Sequence, residues 1–349
     1  MYYIVMISIF LTSCMGIYLF LKNAGKLGFI DTPNERSMHV QLTPKGAGIP
    51  FVLSIFIVLF IFDLDYLITY YYVYTAIALV FFSGLLDDIK EVKPKIKFIF
   101  IFLATIVLYF NDLAIFNLGT FFGNEILLPA WLVFPFTFLA IAGYTNALNL
   151  MDGLDGLAAS IAIVILTTYF FIGIEHDDEL MITLSSFFIV SLVAFLFFNW
   201  YPAKIFMGDS GSLVLGMVIV ILSIRAFEYI TPASILLIGA LPLLDTFIVM
   251  TRRYQRSQSL FKADKNHMHH FLVNVKGDIP YSVLILTMMQ MIFSLIGYQV
   301  SQADNFISLI LFLILFYIYL QLFDQRLKRR EKSIDEKKTK TNKTLKEPN

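Results

Sequence analysis

Residues 157–198 read LAASIAIVILTTYFFIGIEHDDELMITLSSFFIVSLVAFLFF. Two apolar runs, 157–174 and 180–198, flank the acidic segment Glu175-His176-Asp177-Asp178-Glu179. Each run is close to the roughly 20 residues a helix needs to cross a bilayer core, and neither carries a charge. The pattern recurs near 1–21, 47–62, 66–83, 97–110, 127–145, 213–227, 233–250, 281–300 and 305–323, eleven runs within 349 residues. Composition agrees: 58% of residues are hydrophobic and 15% charged, with a mean hydropathy of +0.76, against about 45–50% and about 25% in soluble domains. The residues from Asp324 onward hold 15 of the 52 charged side chains, so the rest is more apolar still. The expected fold is an all-α polytopic integral membrane protein of about 11 transmembrane helices over 1–323. A charged tail, 324–349, lacks apolar periodicity and reads as disordered. The single Cys14 excludes a disulfide scaffold. Residues 1–21 lack a basic n-region and a small-residue cleavage site, so they read as a first span rather than a signal peptide.

Lysine and arginine set the expected orientation. Alternate loops hold Lys22, Lys26, Arg36 and Lys45, then Lys90, Lys93, Lys95 and Lys97, then Lys204, then the cluster from Arg252 to Lys276, then ten in the tail. The intervening loops hold only Arg225, so 25 of the 26 basic residues fall on one side. That side is expected to be cytoplasmic, with the N-terminus outside and the C-terminus inside.

The loops of the basic side carry polar groups that a scaffold would not need. The first holds Asp31-Thr-Pro33-Asn34-Glu-Arg36-Ser37-Met-His39 and Thr43-Pro44-Lys45-Gly46-Ala47-Gly48, where closely spaced glycines could bare amides to an anion or form a plain surface turn. The second holds Gly84-Leu-Leu-Asp87-Asp88 at the end of an apolar run. Adjacent carboxylates at a membrane boundary are paired, metal-bound or solvated. The third is more specific: Asn146-Ala-Leu-Asn149-Leu-Met-Asp152-Gly153-Leu-Asp155-Gly156. Carboxamides and carboxylates at intervals of three lie near one face of a helix over two turns. A calcium loop of the EF-hand type needs intervals of two and a terminal glutamate, and fails here. A helix end stapled by Asn and Asp is the plain alternative.

The fourth loop runs Asn199-Trp-Tyr-Pro202-Ala-Lys204-Ile-Phe-Met207-Gly208-Asp209-Ser210-Gly211-Ser212. One acid sits between glycines just before a span, where a helix N-terminus favours an anion, and Asp209 or Ser210 could equally be a simple N-cap. The fifth holds Asp245, Thr246, Arg252, Arg253 and Ser259-Leu-Phe261-Lys262-Ala-Asp264-Lys265-Asn-His267-Met-His269-His270. Without cysteine on this side, the His cluster is no usual structural zinc pattern. Arg with His suits a phosphorylated ligand better. Acids able to hold a hard cation, facing basic and His groups, form an inventory for phosphoryl transfer. Magnesium takes one or two carboxylates plus substrate phosphates and waters. A site on the cytoplasmic face would meet a soluble nucleotide, and its membrane setting suggests a lipid as the second substrate.

GLLDDIK, NALNLMDGLDGLA, PAKIFMGDSGS and HMHH, in this order between about Asp31 and His270, resemble the polyprenyl-phosphate N-acetylhexosamine-1-phosphate transferases of glycosyltransferase family 4. Eleven runs, and HMHH in place of a three-histidine run, point to the WecA and TagO branch rather than the related MraY type. The segment DTPNERSMHVQLTPKGAG is closer to the WbpL-like group, which starts O-antigen chains, often with a 6-deoxy-N-acetylhexosamine. Ala47 stands for a usual Gly and Lys45 for a usual Arg.

The resemblance implies that residues 1–323 form a magnesium-dependent transferase in the inner membrane of a bacterium. It would pass an N-acetylhexosamine 1-phosphate from its UDP-sugar to undecaprenyl phosphate, releasing UMP and initiating O-antigen or related cell-envelope polysaccharide. By that analogy Asp209 holds Mg2+, for which Mn2+ can substitute, with Asp88 near it, and Asp87 orients or deprotonates the lipid phosphate. The catalytic set is then Asp87, Asp88 and Asp209. Asn149, Asp152 and Asp155 would hold nucleotide or metal; His267, His269, His270 and Arg253 the diphosphate or sugar; Lys97 the lipid phosphate; Asn146, Asn199 and Asp264 complete the expected substrate-binding set. The expected partners are undecaprenyl phosphate, a UDP-N-acetylhexosamine and the bilayer, with a homodimer compatible and no nucleic acid. A transporter or flippase of lipid-linked sugars is the rival reading. It predicts ionisable groups spread through bilayer depth, whereas these gather at one face. A non-catalytic assembly factor would not need the acids.

Overall fold

The computed structural model describes residues 1–31, 42–255 and 267–321. Asp264 and the tail 324–349 lie outside the described residues. The first half runs α1 (Tyr2–Leu27), β1 (Ile30–Asp31), β2 (Thr43–Pro44), α2 (Gly48–Phe62), α3 (Leu64–Thr69), α4 (Tyr71–Ile89), α5 (Pro94–Tyr109), β3 (Asn117–Phe121) and β4 (Asn124–Leu127). The second runs α6 (Ala130–Met151), α7 (Leu157–Glu175), α8 (Glu179–Asn199), α9 (Asp209–Ala226), α10 (Pro232–Ile238), α11 (Ala240–Gln255), α12 (Met268–Lys276), α13 (Ile279–Gln299) and α14 (Asn305–Gln321). The strands form two small antiparallel pairs, β1 with β2 and β3 with β4.

Within the described residues each apolar run lies mainly on a helix, two of them on broken helices: 66–83 is interrupted at Tyr70 and 233–250 at Gly239. Among the described residues, seven helices are long and apolar enough to cross a membrane, and α10 with α11, bent by 85°, adds an eighth if the pair is one span. α2 and α14 are shorter apolar helices. The chain is therefore a mostly helical, multi-pass membrane protein. On α1 the buried residues Val5, Ile9, Ser13 and Ile17 recur every four positions, the stripe that faces α2 and α8, while Ile4, Ile7, Leu11 and Met15 are exposed. In lipid, that exposure is the favourable side of the helix.

α9 is the axis of the bundle. Nearly all its side chains are buried, because α2, α4, α6, α7 and α8 all pack against it. Between apolar helices in lipid, close backbone approach supplies the van der Waals contact that water cannot drive. A Cβ at Gly84 would overlap the backbone of Asp209, and one at Gly48 that of Gly211.

At the 85° break the helix leaves backbone groups without partners, a cost in lipid unless another element supplies them. Buried Gln290 of α13 does so: its Oε1 accepts the Leu241 amide at 3.1 Å and its Nε2 donates to the Ile238 carbonyl at 2.7 Å. The Ser294 hydroxyl donates to the same carbonyl at 2.9 Å. At the end of the bundle where α7 meets α8, Asp178 caps α8 through the Met181 amide at 2.7 Å. It also accepts Arg225 Nε at 2.6 Å and the Tyr229 hydroxyl at 2.7 Å. Thus Arg225, isolated in the basic-residue pattern, is paired with a buried acid.

Candidate active site

The opposite end of the bundle gathers the polar loops around the first turn of α9. That helix has no side-chain cap of its own. Asp88, at the end of α4, supplies one from 121 residues away: its Oδ1 accepts the Asp209 amide at 2.9 Å and its Oδ2 the Ser210 amide at 3.0 Å. A carboxylate at a helix N-terminus satisfies orphan donors and opposes the helix dipole. The anion expected there is thus the protein's own, and the simple N-cap reading of Asp209 or Ser210 gives way to this cross-helix cap. Gly208 permits it. Its φ is +75°, and a Cβ would stand 2.6 Å from Asp88 Oδ2.

Capped from behind, Asp209 turns its carboxylate to other side chains. Lys97, in the first turn of α5, forms an ion pair with Asp209 Oδ2 and another with Asp87 Oδ1 at 3.0 Å. Asn149, near the end of α6, donates to Asp209 Oδ1 at 3.1 Å and to the Ser212 hydroxyl at 2.8 Å. Asp87 also accepts the Val92 amide at 3.0 Å. Asp87, Lys97 and Asp209 remain partly exposed. Ser212 was absent from the expected site residues, although it stands three residues beyond Asp209 and therefore on the same helix face.

The segment Asn146 to Asp155 differs from the expected single helical face. α6 stops at Met151, and a turn carries Asp152 to Gly156 before α7. Asn146 donates back to the Ala142 carbonyl at 2.8 Å within its own helix. Asp155 accepts the Ala203 amide at 2.9 Å. Asn199 is buried, accepting the Gly156 amide at 2.8 Å and donating to the Ile205 carbonyl at 2.9 Å, so it ties this turn to the fourth loop. The interval of three describes only the helical residues; beyond the end of α6 the side chains diverge. Asp152 stays by the site, with no hydrogen bond from its carboxylate among the described residues. Burial, then the carboxylates of Asp209, Asp88 and Asp155, push its carboxyl up to about 7.

The first loop joins the fourth through its backbone. Phe206 donates to Pro44 at 2.8 Å, Ala47 to Phe206 at 3.0 Å, and Gly48 to Met207 at 2.8 Å. The amides of Ala47 and Gly48 are therefore spent on carbonyls and are not bare donors for an anion. The tight turn serves to place α2 against α9.

α11 and α12 bring the histidines to the same end. His267 Nδ1 meets Asp245 Oδ2 at 2.8 Å, and Asp245 Oδ1 accepts the Met268 amide at 2.8 Å. His269 stacks on His267 with centroids 5.6 Å apart, and His270 lies 4.3 Å from His269. His269 is buried against Gly153, where a Cβ would collide with its ring, so the histidines adjoin the Asp152 turn. Burial pushes the His269 imidazolium down to about 3, so the ring is neutral. Arg252 and Arg253 are buried and engaged near the end of α11.

No three His, Cys, Asp or Glu side chains among the described residues converge as a metal cage. Magnesium does not need one, since it keeps waters and substrate phosphates in its shell. The donors here are carboxylate oxygens, suited to a hard cation. The ion pairs of Asp87 and Asp209 both go to Lys97, and Asp88 and Asp152 are two further carboxyl groups beside them. That surplus fits a divalent ion. Such an arrangement can bind phosphates and neutralise charge in phosphoryl transfer.

Glycosyl transferase family 4 matches residues 70–227, the span from α4 through α9 that carries Asp87, Asp88, Lys97, Asn149, Asp152 and Asp209. The chain is 34% identical over 305 residues to a probable undecaprenyl-phosphate N-acetylglucosaminyl 1-phosphate transferase of Bacillus subtilis, covering 85% of this chain and 84% of that protein. It is 28% identical over 329 residues to the undecaprenyl-phosphate alpha-N-acetylglucosaminyl 1-phosphate transferase of Escherichia coli K12, covering 90% and 89%. A Yersinia pestis protein of the same description is 27% identical over 330 residues, again covering 90% and 89%. The chain belongs to glycosyl transferase family 4.

Proposed function

We propose that this protein transfers N-acetylglucosamine 1-phosphate from its UDP-sugar to undecaprenyl phosphate, at the cytoplasmic face of a bacterial inner membrane. The products are undecaprenyl-pyrophosphoryl-N-acetylglucosamine and UMP, and the step initiates O-antigen or a related cell-envelope polysaccharide. Relatives described by this chemistry support the sugar and the lipid. The observation that carries the site is Asp209, capped by Asp88 and held between Lys97 and Asn149 at the N-terminus of α9. The basic-residue pattern supports eleven spans with the N-terminus outside and the C-terminus inside.

An oxygen of the lipid phosphate attacks the sugar-bearing β-phosphorus, and the bond to the oxygen bridging the two phosphorus atoms breaks. The bridging oxygen leaves with UMP. Two anions must approach, so charge neutralisation dominates the barrier. Lys97 receives the lipid phosphate and Asp87 orients it. With a second pKa of about 6, a phosphate monoester is already largely dianionic at neutral pH, so no base is required. Asp209 would hold Mg2+ or Mn2+, with Asp88 beside it fixing the turn that presents Asp209. When bound, that ion offsets the charge of the diphosphate. Asn149 orients the Asp209 carboxylate. Asp152 would hold nucleotide or metal, and His267, His269, His270 and Arg253 take the diphosphate or sugar.

The test is UMP release by detergent-purified protein supplied with undecaprenyl phosphate, Mg2+ and a panel of UDP-N-acetylhexosamines. Release that requires both lipid and metal, fastest with UDP-N-acetylglucosamine, is expected. No release with any sugar from well-folded protein overturns the transferase; a faster 6-deoxy sugar overturns the choice of donor.

A further inference from the structure

The fifth polar loop contains an acid that the reaction above does not use. Asp245 sits on α11 and is buried, 22 residues before the histidine it meets. Its two oxygens do different things. Oδ2 lies 2.8 Å from His267 Nδ1, and Oδ1 accepts the Met268 amide, the first of α12, at 2.8 Å. A carboxylate in that place keeps the ring proton on Nδ1, fixes the ring orientation, and leaves Nε2 as the nitrogen available elsewhere. The ring so fixed stacks on His269, which packs against Gly153 beside Asp152.

We infer that Asp245 is a positioning residue for the donor site, holding His267 so that Nε2 meets a diphosphate oxygen of the UDP-sugar. This rests on the reading of His267 as a diphosphate contact. In the imidazolium form Nδ1–H goes to Asp245 and Nε2–H to the donor, and the buried carboxylate balances the charge of the ring. The titratable groups around the pair are His269 and His270 on α12 and Tyr319 on α14, and Arg252 and Arg253 lie about two turns further along α11.

Asparagine at 245 separates this role from capping alone. Its carbonyl can still accept the Met268 amide, but its nitrogen only donates, so it repels Nδ1–H and removes the balancing charge. Asp245→Asn is expected to raise KM for UDP-N-acetylglucosamine roughly tenfold, the loss of one charge-assisted hydrogen bond, while kcat at saturating donor stays near wild type. His267→Ala should raise that KM at least as far, and adding Asp245→Asn to it should cost nothing more. A wild-type KM for Asp245→Asn, or a full additional loss in the His267→Ala background, overturns the inference. Should Asp245→Asn fail to fold, a wild-type KM in His267→Ala overturns it and a raised one supports it. Absence of UMP release by the wild type is a different result, and it removes the transferase reading itself.

Discussion

At the end of the bundle where α7 meets α8, Asp178 is closed on every side, by the Met181 amide, the Arg225 guanidinium and the Tyr229 hydroxyl. Its neighbours Glu175 and Glu179 accept from Tyr298 and Tyr70. At the other end, Asp87 and Asp209 share one ammonium, Asp88 faces backbone amides, and Asp152 has no hydrogen bond from its carboxylate among the described residues. The same residue type serves two purposes. Where partners match the acids, the cluster holds helices together. Where an acid has no hydrogen-bond partner, as Asp152 has none among the described residues, the protein keeps a carboxyl group in reserve for a ligand, at a cost in stability.

The contrast breaks most visibly at Asp209. Asp209→Asn keeps the shape of the turn and removes one negative charge, and turnover is expected to fall by about a thousandfold or more, with an unchanged detergent melting profile. UMP release at the wild-type rate would end the metal assignment. Neutralising an acid at the closed end should do the reverse. Asp178→Ala loses the α8 cap and leaves Arg225, itself a third exposed, with Glu228 as its remaining acid partner, at about 2 kcal/mol of stability. Melting temperature is expected to drop while turnover per folded molecule persists; an unchanged melt would mean the network does not hold the helices.

A smaller effect sharpens the comparison at Asp152. Its folded-state carboxyl, near 7, lies above the roughly 3.9 of an unfolded chain. Between those values the folded state holds a proton that the unfolded state has lost, so rising pH lowers stability by up to about 1.4 kcal/mol per pH unit. In EDTA, Asp152→Asn should therefore gain on wild type between pH 5 and pH 7, and added Mg2+ should close the gap. Parallel melting curves at the two pH values would show that Asp152 carries no surplus charge.

The membrane architecture was legible in the sequence because apolar length is a local property. Runs such as 157–174 and 180–198 need no knowledge of their neighbours to become α7 and α8. The breaks were less so: Gly239 lies inside an unbroken apolar run, and the groups that make its bend tolerable are on α13. At the site, the residue types of Asp87, Asp88, Asn149 and Asp209 were readable, but their division of labour was not. Asp88 caps a helix 121 positions away, and Asn149 reaches an acid 60 positions away. Spacing misled twice: the interval of three outlasted the helix that gives it meaning, and the glycine-rich turn spends its amides on Phe206 and Met207. Long-range partners, not local propensity, decide which polar groups remain available.

Gln290 has a consequence for how this chain enters a membrane. As a lone helix, α13 would partition into lipid more readily with leucine at that position, because a carboxamide is costly there until a partner answers it. Within the finished bundle that carboxamide holds α11 at its angle to α10, and α11 leads to the arginines and histidines beside the site. Gln290→Leu should thus improve insertion of the segment and impair the enzyme. Insertion and assembly ask opposite things of one side chain.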